Sequence, residues 1–344
     1  MNINDLEGAA YEFPSKNFSL FFENLFNLTS HWSVTPGARL EHIKTAADGF
    51  FKRRFISGNQ ILREDIFQVE RAESRTILLL GLGTGYKLKN QLEIYANFSQ
   101  NYRSINFSDL AILNPNLVVD SLLTDERGAN LDIGFRGSVN EIINFDANLF
   151  LLNYQNRIGI GELIVDDPAI GRTAVPFRTN IGDARVVGFE SYAELDILKL
   201  FNRNKANFGL KIFTNLSLIN GIYTSGGSAF NGNKVELIPP YSFKTGFNFF
   251  YKKFKGSAQI ARVGQHFSDA TNAIQTADAT RGIIPTYSVA DFSLAYQWNW
   301  LTVQSGINNF TNEFYFTRRA NAYPGPGIIP ADGRNFYLTL GIKL

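Results

Sequence analysis

From Asn335 to Leu344 the chain alternates without a fault between apolar and polar positions. Phe336, Leu338, Leu340, Ile342 and Leu344 fall on one parity; Tyr337, Thr339, Gly341 and Lys343 fall on the other. A strict period of two predicts a β-strand with two unlike faces. About ten such residues are what a tilted strand needs to cross a bilayer. The plan recurs from the start of the chain. Segments 16–27, 31–42, 75–87, 89–103, 129–138 and 143–157 each oppose an apolar row to a polar one. So do 185–197, 206–219, 241–251, 287–298 and 301–310. Segment 254–264 alternates poorly, because Arg262 shares a parity with Ala258 and Ile260; only its context makes it a strand.

The connections alternate as well. Short links near 28–30, 87–89, 139–141, 198–205, 252–253 and 299 are interleaved with long ones. The long links are 43–74, 104–128, 158–184, 220–240, 265–286 and 311–334. Tight turns on one rim and large loops on the other are the connectivity of an antiparallel transmembrane β-barrel, an all-β fold. The segments sum to about thirteen crossings, an odd number where single-chain bacterial barrels use even ones. An unclosed edge would leave costly unpaired amides in lipid. The expectation is that residues 1–344 are the C-terminal part of a larger barrel.

Composition sharpens this picture. There are 31 Phe and 14 Tyr against one Met, and aromatic residues favour strands. Trp32, Trp298 and Trp300 adjoin short turns, as do Tyr86, Tyr251 and Phe254, while Tyr102, Tyr154, Tyr287 and Phe310 mark the opposite strand ends. Two aromatic bands around an apolar middle are the girdles of a membrane protein. The absence of cysteine rules out disulfides and thiolate metal sites. No run of eighteen apolar residues is present to make a membrane helix. The first residues lack the basic start and apolar core of a signal peptide. That leaves either a cytosolic chain or one whose true beginning lies upstream. A net charge of +2 gives no reason to expect nucleic acid.

Enzymatic constellations are thin. His31, His42 and His266 lie far apart without zinc-site spacing, and rim polar residues account for them. Gly81-Leu82-Gly83-Thr84-Gly85 lacks the spacing of a nucleotide loop. Its glycines would instead face the lumen together and let another backbone, such as a plug, approach. Glu23, Arg39, Glu41, Asp132, Arg136, Glu190 and Asp291 read as a hydrated lumen wall rather than paired catalytic acids. No enzyme is expected.

Three pieces of the closing region, Asn308–Phe310 (NNF), Phe314–Ala320 (FYFTRRA) and Tyr323–Pro330 (YPGPGIIP), carry a resemblance. They resemble the last extracellular loop of TonB-dependent outer-membrane receptors, in particular the ferric dicitrate receptor type. Asn101–Asp109 (NYRSINFSD) and Val187–Glu190 (VGFE) are similar to further motifs of that family, and the likeness extends over essentially the whole chain. The resemblance implies a barrel of about twenty-two strands with a plugged lumen. It also implies an outer-membrane location in a Gram-negative bacterium and a ferric chelate as transported ligand, with no resident cofactor. The partners implied are outer-membrane lipid and lipopolysaccharide, the TonB complex, and the plug and N-terminal strands of a full receptor. Neither plug nor TonB-contacting box is recognisable here. A passive porin-like or structural surface barrel, or a receptor remnant, is the alternative; a soluble all-β carbohydrate-binding or hydrolytic protein is a third.

An iron–citrate complex is anionic and rich in carboxylates, which the guanidinium fork suits. The loop residues Arg103, Arg172, Arg178, Arg318, Arg319 and Arg334, with Tyr323, are therefore the candidate ligand contacts. The same arginines could equally bind surface lipopolysaccharide or confer solubility.

Overall fold

The computed structural model describes residues 8–57, 60–89, 91–110, 118–167, 171–201, 207–277, 279–320 and 327–343. Strands β1 (Ala9–Glu12), β2 (Ser15–Glu23) and β3 (Phe26–Asn27) share one row, followed by β4 (Trp32–Ser57) and β5 (Gln60–Lys87). Next come β6 (Leu92–Arg103), the one-turn helix α1 (Phe107–Leu110), β7 (Val118–Val119), β8 (Glu126–Val139), β9 (Ile143–Asp167) and β10 (Gly171–Asp196). A turn of helix, α2 (Ile197–Leu200), leads to β11 (Phe208–Tyr223), α3 (Gly227–Phe230), β12 (Tyr241–Tyr251) and β13 (Phe254–Val263). Two short strands, β14 (His266–Phe267) and β15 (Ile283–Ile284), pair within one connection before β16 (Tyr287–Trp298) and β17 (Leu301–Asn308). Likewise β18 (Phe316–Ala320) and β19 (Gly327–Pro330) pair before β20 (Asn335–Ile342).

One sixteen-stranded sheet holds the long strands. Each pairs antiparallel with its neighbour in sequence, giving thirteen rows from the first row to β20; the weakly patterned 254–264 segment forms β13 within it. The row count is the one that the alternation predicts. Among the described residues no pairing joins β20 to the first row.

The two faces are unlike in the expected sense. Phe18, Leu20, Leu78, Leu131, Leu338 and Leu340 all stand exposed on the convex face. Opposite them, Tyr95 donates to Asp146 at 2.9 Å and Asn97 to Asp132 at 3.2 Å, linking neighbouring rows across the lumen wall. An apolar face left bare by the protein is explained when lipid covers it.

Glycine and aromatic residues are matched across the rows. Tyr95 stands opposite Gly134, and a Cβ there would lie 2.2 Å from the ring. Tyr337 stands opposite Gly306 in the same way, with 2.5 Å to a Cβ. Phe250 lies over Gly209 and Phe249 over Gly256. A ring laid over a strand glycine covers backbone that the glycine would leave bare.

Within two expected long loops, 43–74 and 158–184, the described residues are instead strand. Residues 43–57 and 60–74 continue β4 and β5 as paired strands, and residues 158–167 and 171–184 continue β9 and β10 with bulges near Gly182. The reason is environmental. Above the membrane both faces can be polar, so the apolar stripe ends although pairing continues. Arg54 bonds Glu64 at 2.5 Å across the first hairpin, and Phe51 stacks on Phe67 with centroids 4.7 Å apart.

The outer aromatic band also differs from expectation. Phe310 is exposed, but Tyr102 donates to Asp125 at 2.5 Å. Tyr154 packs on a buried cluster of Ile181, Ala184, Tyr223 and Val235, and Tyr287 stacks on Tyr315 at 4.6 Å. Tyr154 and Tyr287 thus support the connections, while Tyr102 keeps the outward parity of Phe98 on its own strand. Trp32, Trp298 and Trp300 are exposed at the short-turn rim.

Candidate ligand-binding site at the long-loop rim

The long connections fold inward on the rim formed by the ends of the strands. Three knots of charge fix them. In the first, α1 brings Asp109 to the sheet, where its side chain is wholly buried. Arg103, at the end of β6, reaches Asp109 Oδ2 at 3.0 Å and Glu126 at 2.9 Å; Arg178 of β10 closes on Asp109 Oδ1. Two sequence candidates thus meet, with their guanidinium groups committed to carboxylates of the chain.

In the second knot Arg157 reaches Glu236 at 2.8 Å, and Tyr223 donates to the other oxygen of that carboxylate at 2.8 Å. Glu236 comes from the connection after β11, so the pair binds this connection to the wall.

Arg319 makes the third. Its two Nη atoms donate to the carbonyls of Ala279 and Ile283, each at 2.8 Å, and its guanidinium lies over the Phe316 ring. It joins the last connection to the one before. A hollow of about 430 Å³ between that connection and the β9–β10 hairpin is lined by Glu162, Glu236, Asp269, Arg281 and Arg319. Arg281 pairs with Glu162 at 2.7 Å.

Arg318 is placed differently. Adjacent residues of β18 point to opposite sides, so Arg318 is exposed where Arg319 is half-buried. It lines a hollow of about 660 Å³ between the β18–β19 hairpin and the long-connection ends of β16, β17 and β20. Asn308, Asn335, Tyr315 and Asp332 line it too. Among the described residues Arg318 has no hydrogen-bond or ion-pair partner. The floor is held by Asn309, which is buried at +50° in φ. Its side chain donates to the carbonyls of Glu313 and Asp332 and accepts from the Glu313 amide at 2.8 Å. Asp291 accepts hydrogen bonds from Gln259 and from the Asn309 amide. The hollow therefore presents one uncommitted guanidinium among amide and hydroxyl groups and the carboxylates of Asp291 and Asp332, and it is the guanidinium that could hold an oxygen-rich anion.

The remaining candidates lie apart. Arg334 is exposed, with its amide bonded to Asn312 Oδ1 at 2.9 Å. Arg172 is exposed high on the second hairpin, across from Asp166. Tyr323 lies outside the described residues, as do Pro324, Gly325 and Pro326. No single cluster gathers the six that are described. Glu236 has no sequence signal and Asp109 only its place at the end of the Asn101–Asp109 motif, because a carboxylate's buried partner is set by tertiary folding. Asn309 was within a quoted motif, and its left-handed φ explains why asparagine stands there.

The expected lumen face of Gly81–Gly85 is present, but its clearance is partly used. A Cβ on Gly85 would lie 2.6 Å from Glu93 Oε1, and one on Gly83 3.0 Å from Asn97 Oδ1. Glu93 lies over that floor, paired with Arg136 at 2.9 Å. Only Gly81 faces open space of this kind, with nothing nearer than 3.8 Å. Among the described residues no three His, Cys, Asp or Glu side chains converge as a metal site.

The model of the "TonB dependent receptor-like, beta-barrel" family matches residues 3–310. The ferric yersiniabactin uptake receptor FyuA from Yersinia pestis superposes with a TM-score of 0.72 at 17% identity, over 97% of this chain and 46% of that one. The ferric-catecholate import receptor Fiu from E. coli gives 0.71 at 18% identity, over 97% of this chain and 45% of that one. The unliganded ferric citrate transporter FecA gives 0.67 at 16% identity, over 97% and 55%. The chain spans about half the length of these receptors. A comparison with curated protein sequences finds no match.

Proposed function

The chain belongs to the TonB-dependent receptor β-barrel family, and from that premise we propose that it is the C-terminal part of an outer-membrane receptor importing a ferric chelate. Ferric citrate, or another carboxylate siderophore, is the ligand that its chemistry suits. The supporting observation is Arg318, exposed and without a hydrogen-bond or ion-pair partner among the described residues, at a 660 Å³ hollow lined also by Asn308, Asn335, Tyr315 and Asp332 and by Asp291, whose carboxylate already accepts two hydrogen bonds. Arg334 would add a second cation from the same connection. Arg103, Arg178 and Arg319 would shape the rim rather than touch ligand. In this reading the TonB complex and a plug act with the barrel, the plug occupying the lumen lined by Glu93, Arg136 and Asp132.

The test is ferric citrate binding by the complete receptor, read by equilibrium titration. Arg318→Ala with Arg334→Ala should weaken binding by about tenfold or more, the worth of a charge-assisted contact. Binding of a neutral chelate should change far less. Unchanged citrate affinity would remove this hollow from the site.

A further inference from the structure

β18 departs from regular alternation at one point. Phe316 stands opposite Pro330 and Arg318 opposite Ile329, so the pairing slips by one residue at Thr317. Thr317 and Arg318 together oppose the single residue Ile329, the count that defines a β-bulge. A regular strand would place Phe316 and Arg318 on one side, with Thr317 and Arg319 on the other. The bulge regroups the four, as bulges do where a side chain is re-aimed.

Burial and contacts agree with this regrouping. Phe316 and Arg319 are half-buried, with the guanidinium 5.1 Å from the centre of the Phe316 ring. Thr317 and Arg318 are both exposed, and both line the 660 Å³ hollow together with Ile329. Arg319 lines the other hollow, of about 430 Å³. Its bonds to the carbonyls of Ala279 and Ile283 anchor that side of the strand. Gly282 lies against the same guanidinium at +146° in φ, and a Cβ there would lie 3.3 Å from Arg319 Cζ. With Arg319 held, Thr317 and Arg318 are both turned toward the larger hollow. Among the described residues the Thr317 hydroxyl has no hydrogen-bond partner. A hydroxyl beside a guanidinium offers donors to two neighbouring oxygens of one ligand.

We infer that Thr317 is a further ligand-binding residue of this hollow, set beside Arg318 by the bulge. It selects chelates that carry a second oxygen acceptor next to a carboxylate. The inference rests on the reading that this hollow binds an anionic chelate.

The test has two arms, both on the complete receptor. The first needs no ligand: the chain has no cysteine, so Phe316→Cys, Thr317→Cys and Arg318→Cys can each be labelled with a hydrophilic maleimide. Thr317→Cys and Arg318→Cys should react at similar rates, well ahead of Phe316→Cys. Similar rates for Phe316→Cys and Arg318→Cys, with Thr317→Cys set apart, would mean regular alternation and overturn the inference. The second arm titrates ferric citrate. Thr317→Val keeps the branched shape without the hydroxyl and should weaken binding about tenfold, the worth of a hydrogen bond to a charged group. Thr317→Ser should retain it. Exchanging the two residues, Thr317→Arg with Arg318→Thr, should restore most of what Arg318→Thr alone loses, because both positions face the hollow. Unchanged affinity in Thr317→Val, or an exchanged pair no better than Arg318→Thr, would overturn the assignment. Loss in Thr317→Val with none in Arg318→Ala would instead sink the anion reading and leave Thr317 a contact, so the two failures are told apart. Unshifted heat-modifiable gel mobility confirms that each variant is folded.

Discussion

Arg178 and Asp109 meet across 69 residues of sequence, the arginine from the wall and the aspartate from a one-turn helix inside the mouth. Asp109 is wholly buried and accepts from Arg103 as well, so two guanidinium groups share one carboxylate. Removing that charge leaves two cations facing a neutral group.

Asp109→Asn should therefore loosen the connection between β6 and β8 by about 3–5 kcal/mol locally, the cost of breaking a buried pair. Hydrogen exchange should speed at Ile105, Asp109 and Leu123 and stay unchanged in β16 and β17. Equal protection throughout would show that the ion pair does not hold the connection.

The parity of β20 gives a second test. Leu338 faces outward and Thr339 inward. Leu338→Arg should cost about 2–4 kcal/mol of folding in a bilayer, as a charge near the midplane does. Thr339→Arg, facing the wet lumen, should cost much less. Equal costs would mean that the faces are assigned wrongly.

The short-turn rim supplies a pH test. Lys199 Nζ donates to Glu141 at 2.7 Å and holds that carboxyl below its usual range. A folded-state value below the unfolded one adds stability above the unfolded value, about 4.3, and loses it as pH falls through the folded one. Glu141→Gln should thus lower the urea midpoint slightly between pH 5 and 7, with the difference vanishing below about pH 4. A difference that grows on acidification would contradict the pairing. The effect is small because Glu141 is exposed.

Most of the sheet was legible in the sequence because lipid enforces contrast. Each crossing must be apolar on one face, as in Phe336, Leu338 and Leu340, and the lumen keeps the other polar. Where both faces meet water, as at Arg54 and Glu64, that contrast disappears and strand read as loop. The arginines were legible as residue types but not in their commitments. Arg318 and Arg319 are adjacent in sequence, yet one lines a hollow and the other clasps the carbonyls of Ala279 and Ile283. Only the parity of β18, set by its pairing with β19, separates them.

The central claim is that these strands cross a membrane with Trp32, Trp298 and Trp300 at one interface. These are the chain's 3 tryptophans, so native fluorescence reports that rim alone. The protein should be reconstituted in lipids brominated at successive depths along the acyl chain. The account expects strong quenching by bromines near the headgroups and weak quenching by those near the chain ends. Absence of quenching at every depth, or a maximum at the bilayer centre, would contradict it.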